Sequence, residues 1–107
     1  MAPYRFIADS GHGWLEVPFK ELEALNIQEL ISGYSYLKDT EHNGRLAYLE
    51  EDLDAGTFIR AMKKAGKEVK FREVHTNHDS RIRDYNSYPE SYKFRLYVDN
   101  GCKLEVI

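Results

Sequence analysis

The chain holds a single cysteine, Cys102, among 107 residues. One thiol can form neither an internal disulfide nor a cysteine zinc cluster, so disulfide-stapled scaffolds and Cys-rich zinc modules are excluded. Long apolar runs are equally scarce. No stretch approaches the ~18–20 residues a membrane-spanning helix needs, and the opening MAPYRFIADS lacks the basic-then-apolar layout of a secretory signal. These absences predict a cytoplasmic protein with no membrane partner. There is no glycine-rich phosphate loop, since Gly11-His12-Gly13 is too short to cradle one, and no arginine-rich low-complexity tract of the RGG kind. Internal repeats and linkers are absent too, so residues 1–107 read as one domain.

With 42% hydrophobic and 31% charged residues, the composition is that of an ordinary soluble domain with enough apolar material for one core. The net charge of -3 favours no partner class, but its distribution is lopsided. Residues 1–59 carry four bases, Arg5, Lys20, Lys38 and Arg45, against eleven acids. Residues 60–84 reverse the balance with eight bases against four acids. The basic stretch, Lys63, Lys64, Lys67, Lys70 and Arg72, is the place where a nucleic-acid phosphate backbone would bind. The alternative is that folding mixes the two lobes and leaves no polarity in space.

Periodicity predicts the elements. Residues 4–8 read as a strand, followed by a turn over 9–13 and a second strand over 14–17. Pro18 suits the first turn of a short helix with Phe19, Leu22 and Leu25 on one stripe and Asn26 as a left-handed stop. Residues 31–37 alternate as a strand, and Asn43-Gly44 predicts a hairpin into 46–50. Asp52 or Asp54 is the expected side-chain cap of a second helix. Its stripe is Ala55, Phe58, Ile59, Met62 and Ala65, with Gly66 as its stop. Residues 67–74 read as a strand with Val69 and Phe71 inward and Lys70 and Arg72 outward, and 92–98 and 102–106 as a closing hairpin. The fold class is therefore α+β: a mostly antiparallel sheet of about five to seven strands with two helices on one face.

Candidate chemistry gathers in three places. Residues 75–89 hold one aliphatic residue, Ile82, which is the profile of a binding loop. Within it His75, His78 and Asp79 could serve as acid–base groups or metal ligands, with Arg81 and Arg83 on an anion. The spacing matches no dependable metal pattern, and Asn77, Asp79 and Ser80 are also good turn formers, so no metal or cofactor is assigned. The acids Glu50, Glu51, Asp52 and Asp54 lack calcium-loop spacing and are read as a strand end with a helix cap. His12 is read as a solvated turn residue. Eight tyrosines, among them Tyr34, Tyr36, Tyr85 and Tyr88, are of the type found at interface hot spots, or else half buried beneath loops.

The segments HGWLEVP, ISGYSY, AYLEEDLDA and HTNHDSRIR together resemble a family of small uncharacterised proteins of bacteria, phages and other mobile elements, over roughly residues 4–88. The resemblance implies no catalytic residue. It implies an accessory protein that binds and blocks a host machine, for example an inhibitor of a defence system such as a CRISPR effector. The expected function is thus a non-enzymatic protein-binding module whose partner is a host or phage protein. Its expected contact residues are Tyr34, Tyr36, Glu50, Glu51, Asp52, His75, Asn77, His78, Asp79, Arg81, Arg83 and Tyr85. The rival expectations are a small metal- or His-dependent hydrolase or nuclease and a nucleic-acid-binding accessory protein.

Overall fold

A computed structural model describes residues 3–75, 82 and 85–88. Strands β1 (Tyr4–Ala8) and β2 (Gly13–Pro18) form a hairpin that runs straight into helix α1 (Phe19–Ala24). After a 3-10 turn at Gln28–Leu30, a second hairpin, β3 (Tyr36–Thr40) and β4 (Gly44–Glu50), leads to α2 (Asp54–Lys64), then β5 (Phe71–His75) and β6 (Asn86–Ser87). The six strands are ordered β5-β1-β2-β4-β3-β6. Among the described residues only the β1–β5 pairing is parallel. The result is a small α+β fold on a mostly antiparallel mixed sheet.

This order contains a duplication that the residues do not announce. Each half is a hairpin followed by a helix, and the inner strands β2 and β4 lie side by side antiparallel, Trp14 opposite Glu50 and Pro18 opposite Leu46. The two halves are therefore related by an approximate two-fold axis through the centre of the sheet. Both helices press on the same face, where Leu15, Val17, Ala47 and Leu49 meet Phe19 and Leu22 of α1 and Ala55, Phe58 and Met62 of α2. The opposite face has its own smaller core of Ile7, Trp14, Tyr48 and Ile82, with Tyr36, Val74 and Tyr85 against it.

Local chemistry explains the boundaries. Pro18 ends β2 and flanks α1 with φ -57° and ψ 131°, an extended conformation that needs no N–H of its own. Asn26 stops the first helical unit in the left-handed region at φ 59°, and Gly44 and Gly66 take φ 69° and 78° at the β3–β4 hairpin and beyond α2. In that hairpin Arg45 donates to Asp39 at 2.8 Å. The guanidinium holds the Asp39 carboxyl below the usual carboxylate range. Gly13 is required for another reason: an added Cβ would overlap the Phe6 ring.

Four expectations are corrected. Residues 31–35 are not strand: Gly33 and Tyr34 form a turn and β3 begins only at Tyr36. The alternation there reflects anchoring of a turn to α2, described below, and not a pleat. Neither Asp52 nor Asp54 caps α2, whose flanking residue Leu53 makes no side-chain cap bond. The strand expected over 67–74 starts at Phe71, and Phe71 is 55% exposed on the outermost described strand, its ring meeting that of Phe6. On α2, Ile59 is likewise exposed at 39% while Phe58 and Met62 are buried, since the sheet covers only part of the stripe. The expected closing hairpin lies outside the described residues.

Candidate functional site

The pleat decides which side chains meet at the end of the sheet where β2 starts and β4 stops. Directly opposed residues of antiparallel strands point to one face, so Trp14 and Glu50 share the face away from the helices, as do Tyr36 and Tyr48. His12 precedes Trp14 and lies against it, ring centroids 5.9 Å apart. The Trp14 and Tyr36 rings meet edge-on at 6.3 Å. His12, Trp14, Tyr36 and Glu50 line a groove of about 430 Å3 with Gly33, Tyr34, Asp52 and Leu53. That volume falls in the ~300–1,000 Å3 range of ligand and side-chain pockets.

What holds the groove's outer wall is a buried carboxylate. Asp54, the first residue of α2 and 1% exposed, accepts bonds from the Ser32 N–H at 3.0 Å, the Ser32 hydroxyl at 2.6 Å and the Ser35 hydroxyl at 2.5 Å. Its charge lies at the positive end of the helix, where an anion is favoured. The Ser35 hydroxyl oxygen in turn accepts the Glu50 N–H at 2.9 Å, and the Ser32 hydroxyl oxygen accepts the Tyr34 N–H at 3.1 Å. The Tyr88 N–H donates to the Ser35 carbonyl at 2.7 Å, and its hydroxyl donates to the Gln28 carbonyl. The turn is thus tied to α2, β4 and the segment at residue 88.

On this fixed turn Tyr34 stands 71% exposed, beside Leu53 at 48%. Both are large and apolar in body, both border the groove, and the cost of holding Tyr34 in place is met by the backbone and not by its ring. At the inner end Glu50 is half-buried and its Oε2 accepts the Asp52 N–H at 3.0 Å. Neither carboxylate enters an ion pair among the described residues. The arrangement is an aromatic slot with an acidic rim.

The structure brings together four of the expected contact residues, Tyr34, Tyr36, Glu50 and Asp52, and separates others. Glu51 is exposed beside the groove, its N–H donating to the Gly13 carbonyl at 3.0 Å. His75 ends β5 at the sheet edge, 3.3 Å from Glu73, with β1 between it and β2. Tyr85 lies half-buried against the Tyr48 ring at 5.0 Å, with the Lys38 ammonium 4.8 Å above it. Asn77, His78, Asp79, Arg81 and Arg83 lie outside the described residues. Of the polar segment, Ile82 and Tyr88 are buried and Asn86 and Ser87 pair with β3. The segment's lone aliphatic side chain is the one that closes the second core.

Sequence reasoning passed over Trp14, Leu53, Ser32 and Ser35 as site residues, read His12 as a solvated turn residue and read Asp54 as a helix cap. The available signal was Ser32-Gly33-Tyr34-Ser35, whose glycine and paired hydroxyls are turn chemistry. Elsewhere on the second face Tyr48 donates to Glu16 at 2.9 Å, and Arg5 sits 3.3 Å from the same carboxylate. Burial, with the Glu16 charge, pushes the Tyr48 hydroxyl well above its ordinary value. Among the described residues no group of three or more His, Cys, Asp or Glu is placed to hold a metal ion, and no helix is long and apolar enough to cross a membrane. No protein-family model, curated protein or solved structure matches the chain.

Proposed function

We propose that this protein is a binding module that docks a partner protein on the groove between the 33–35 turn and the start of α2. The observation that carries the reading is Tyr34, 71% exposed on a turn whose flanking Ser32 and Ser35 hydroxyls are both bonded to Asp54. A rigid exposed tyrosine beside an apolar neighbour loses little entropy on contact and supplies a large area to bury, which is the profile of an interface anchor. The acids at the rim add selectivity and steer encounter. An accessory role for a phage or mobile element, with a host defence machine as the protein blocked, belongs to the same proposal.

The test is site-specific photo-crosslinking from position 34 in host lysate, with and without nuclease. A discrete protein adduct that survives nuclease, and that Leu53→Arg abolishes, is the expected result. No adduct, or one equally strong from a probe at Lys63, would overturn the reading. A second reading rests on a different observation: Lys63, Lys64, Lys67, Lys70 and Arg72 are all exposed and make no ion pair among the described residues. This favours nucleic-acid contact through the C-terminal turn of α2 and the edge strand. Such binding would weaken by about one decade or more per few-fold rise in salt, because each neutralised phosphate releases counterions.

A further inference from the structure

We propose, resting on the docking reading above, that the groove receives an arginine side chain of the partner protein. Trp14 forms its floor, with Tyr36 edge-on at 6.3 Å, Tyr34 at the mouth, and Glu50 and Asp52 at one end. A planar guanidinium stacks on aromatic faces and offers paired N–H donors to a carboxylate; Trp14, 2% exposed, closes the floor, while the exposed Tyr34 ring and the half-buried Tyr36 ring supply the stacking surface and Glu50 and Asp52 the carboxylates. A lysine ammonium is a strongly hydrated point charge that uses the aromatic walls less well. A phosphate is repelled by the two carboxylates. An apolar side chain would cover the half-buried Glu50 without giving its charge a partner, which costs more than the contact returns.

The helix-covered face of the sheet shows how this chain already holds a guanidinium between an aromatic ring and a carboxylate. There the chain provides its own cation: the Arg45 guanidinium lies 5.7 Å from the Phe19 ring centroid and pairs with Asp39 at 2.8 Å.

The probe is acetyl-Gly-Arg-Gly-amide, compared with its citrulline counterpart, which keeps the shape and removes the charge. The only tryptophan of the chain is in the groove floor. Its fluorescence therefore reads occupancy, and backbone NMR shifts locate it. The expected result is weak, saturable binding of the arginine peptide with shifts at residues 12–14, 33–36 and 50–53, about tenfold weaker for citrulline and for the Glu50→Gln/Asp52→Asn variant, and roughly fivefold weaker for Tyr34→Ala. Unchanged circular dichroism of the variants keeps folding out of the comparison. Equal binding of the two peptides, shifts centred elsewhere, or no binding at millimolar peptide would overturn the inference. A protein adduct from position 34 with a silent peptide leaves the docking reading standing and removes the arginine. Peptide binding with no adduct removes the docking reading alone. A dimer in sedimentation that Tyr34→Ala dissociates would make a second copy the occupant and overturn the partner assignment.

Discussion

Asp54 shows how much one side chain can decide. Its carboxylate is buried at the start of α2 yet spends its bonds on Ser32 and Ser35, across 22 and 19 residues of sequence. Asp54→Ala strands an N–H and two hydroxyls and should cost ~3 kcal/mol or more, against about 1–3 for Asp54→Asn, which keeps one acceptor. Urea unfolding midpoints measure both. Tyr48 provides a second test at this scale. Its hydroxyl titrates higher in the folded chain than its unfolded value of ~10, so the folded state holds the proton more tightly. The stabilisation is complete below pH ~10 and is lost as pH climbs toward the folded value. Stability should therefore fall above pH ~10, and Tyr48→Phe should flatten part of that decline when unfolding midpoints are compared on either side of it. Tyr4, bonded to Glu21 at 2.5 Å and raised by burial in the same way, accounts for a further part.

At the scale of elements, stops and close approaches are the sensitive points. Gly66 follows α2 at φ 78°, where a side chain is strained, so Gly66→Ala should cost about 1 kcal/mol, seen as a lower thermal midpoint. Gly13→Ala acts through space instead, pushing the Phe6 ring, with an expected loss of ~1–3 kcal/mol. These elements were readable because their causes are local. Residues 4–8 alternate, Asn26, Gly44 and Gly66 allow positive φ, and the apolar spacing of α2 follows the helical period. Residues 31–35 misled for the complementary reason. A turn held by a distant carboxylate and a strand read by alternation can share the same short pattern of serine and tyrosine, and only Asp54 tells them apart.

For the molecule as a whole, packing and surface recognition can be separated by mutation. Phe58 is fully buried between α2 and the sheet, so Phe58→Ala should lose ~3–5 kcal/mol and is measured by denaturation. Tyr34→Ala removes an exposed ring and should change stability by no more than about 0.5 kcal/mol while abolishing co-purification of the partner that crosslinking identifies. Of the candidate site, Tyr34, Tyr36, Glu50 and Asp52 were legible as residue types suited to contact, but not as neighbours. They lie 2–18 positions apart in sequence and meet only because β3 and β4 pair and β2 lies against β4.

The sequence by itself determined the fold class, both hairpins at the sheet's centre and the position of each helix, since turn chemistry and apolar period act within a few residues of their cause. Tertiary structure alone decided the pseudo-two-fold, the burial of Ile82 and Tyr88 in a segment that reads as polar, and the joining of His12, Trp14, Tyr34 and Glu50 around one groove. Those features depend on strand order and register. A pleat assigns each side chain to a face only once its strand has a neighbour, and no local pattern names that neighbour.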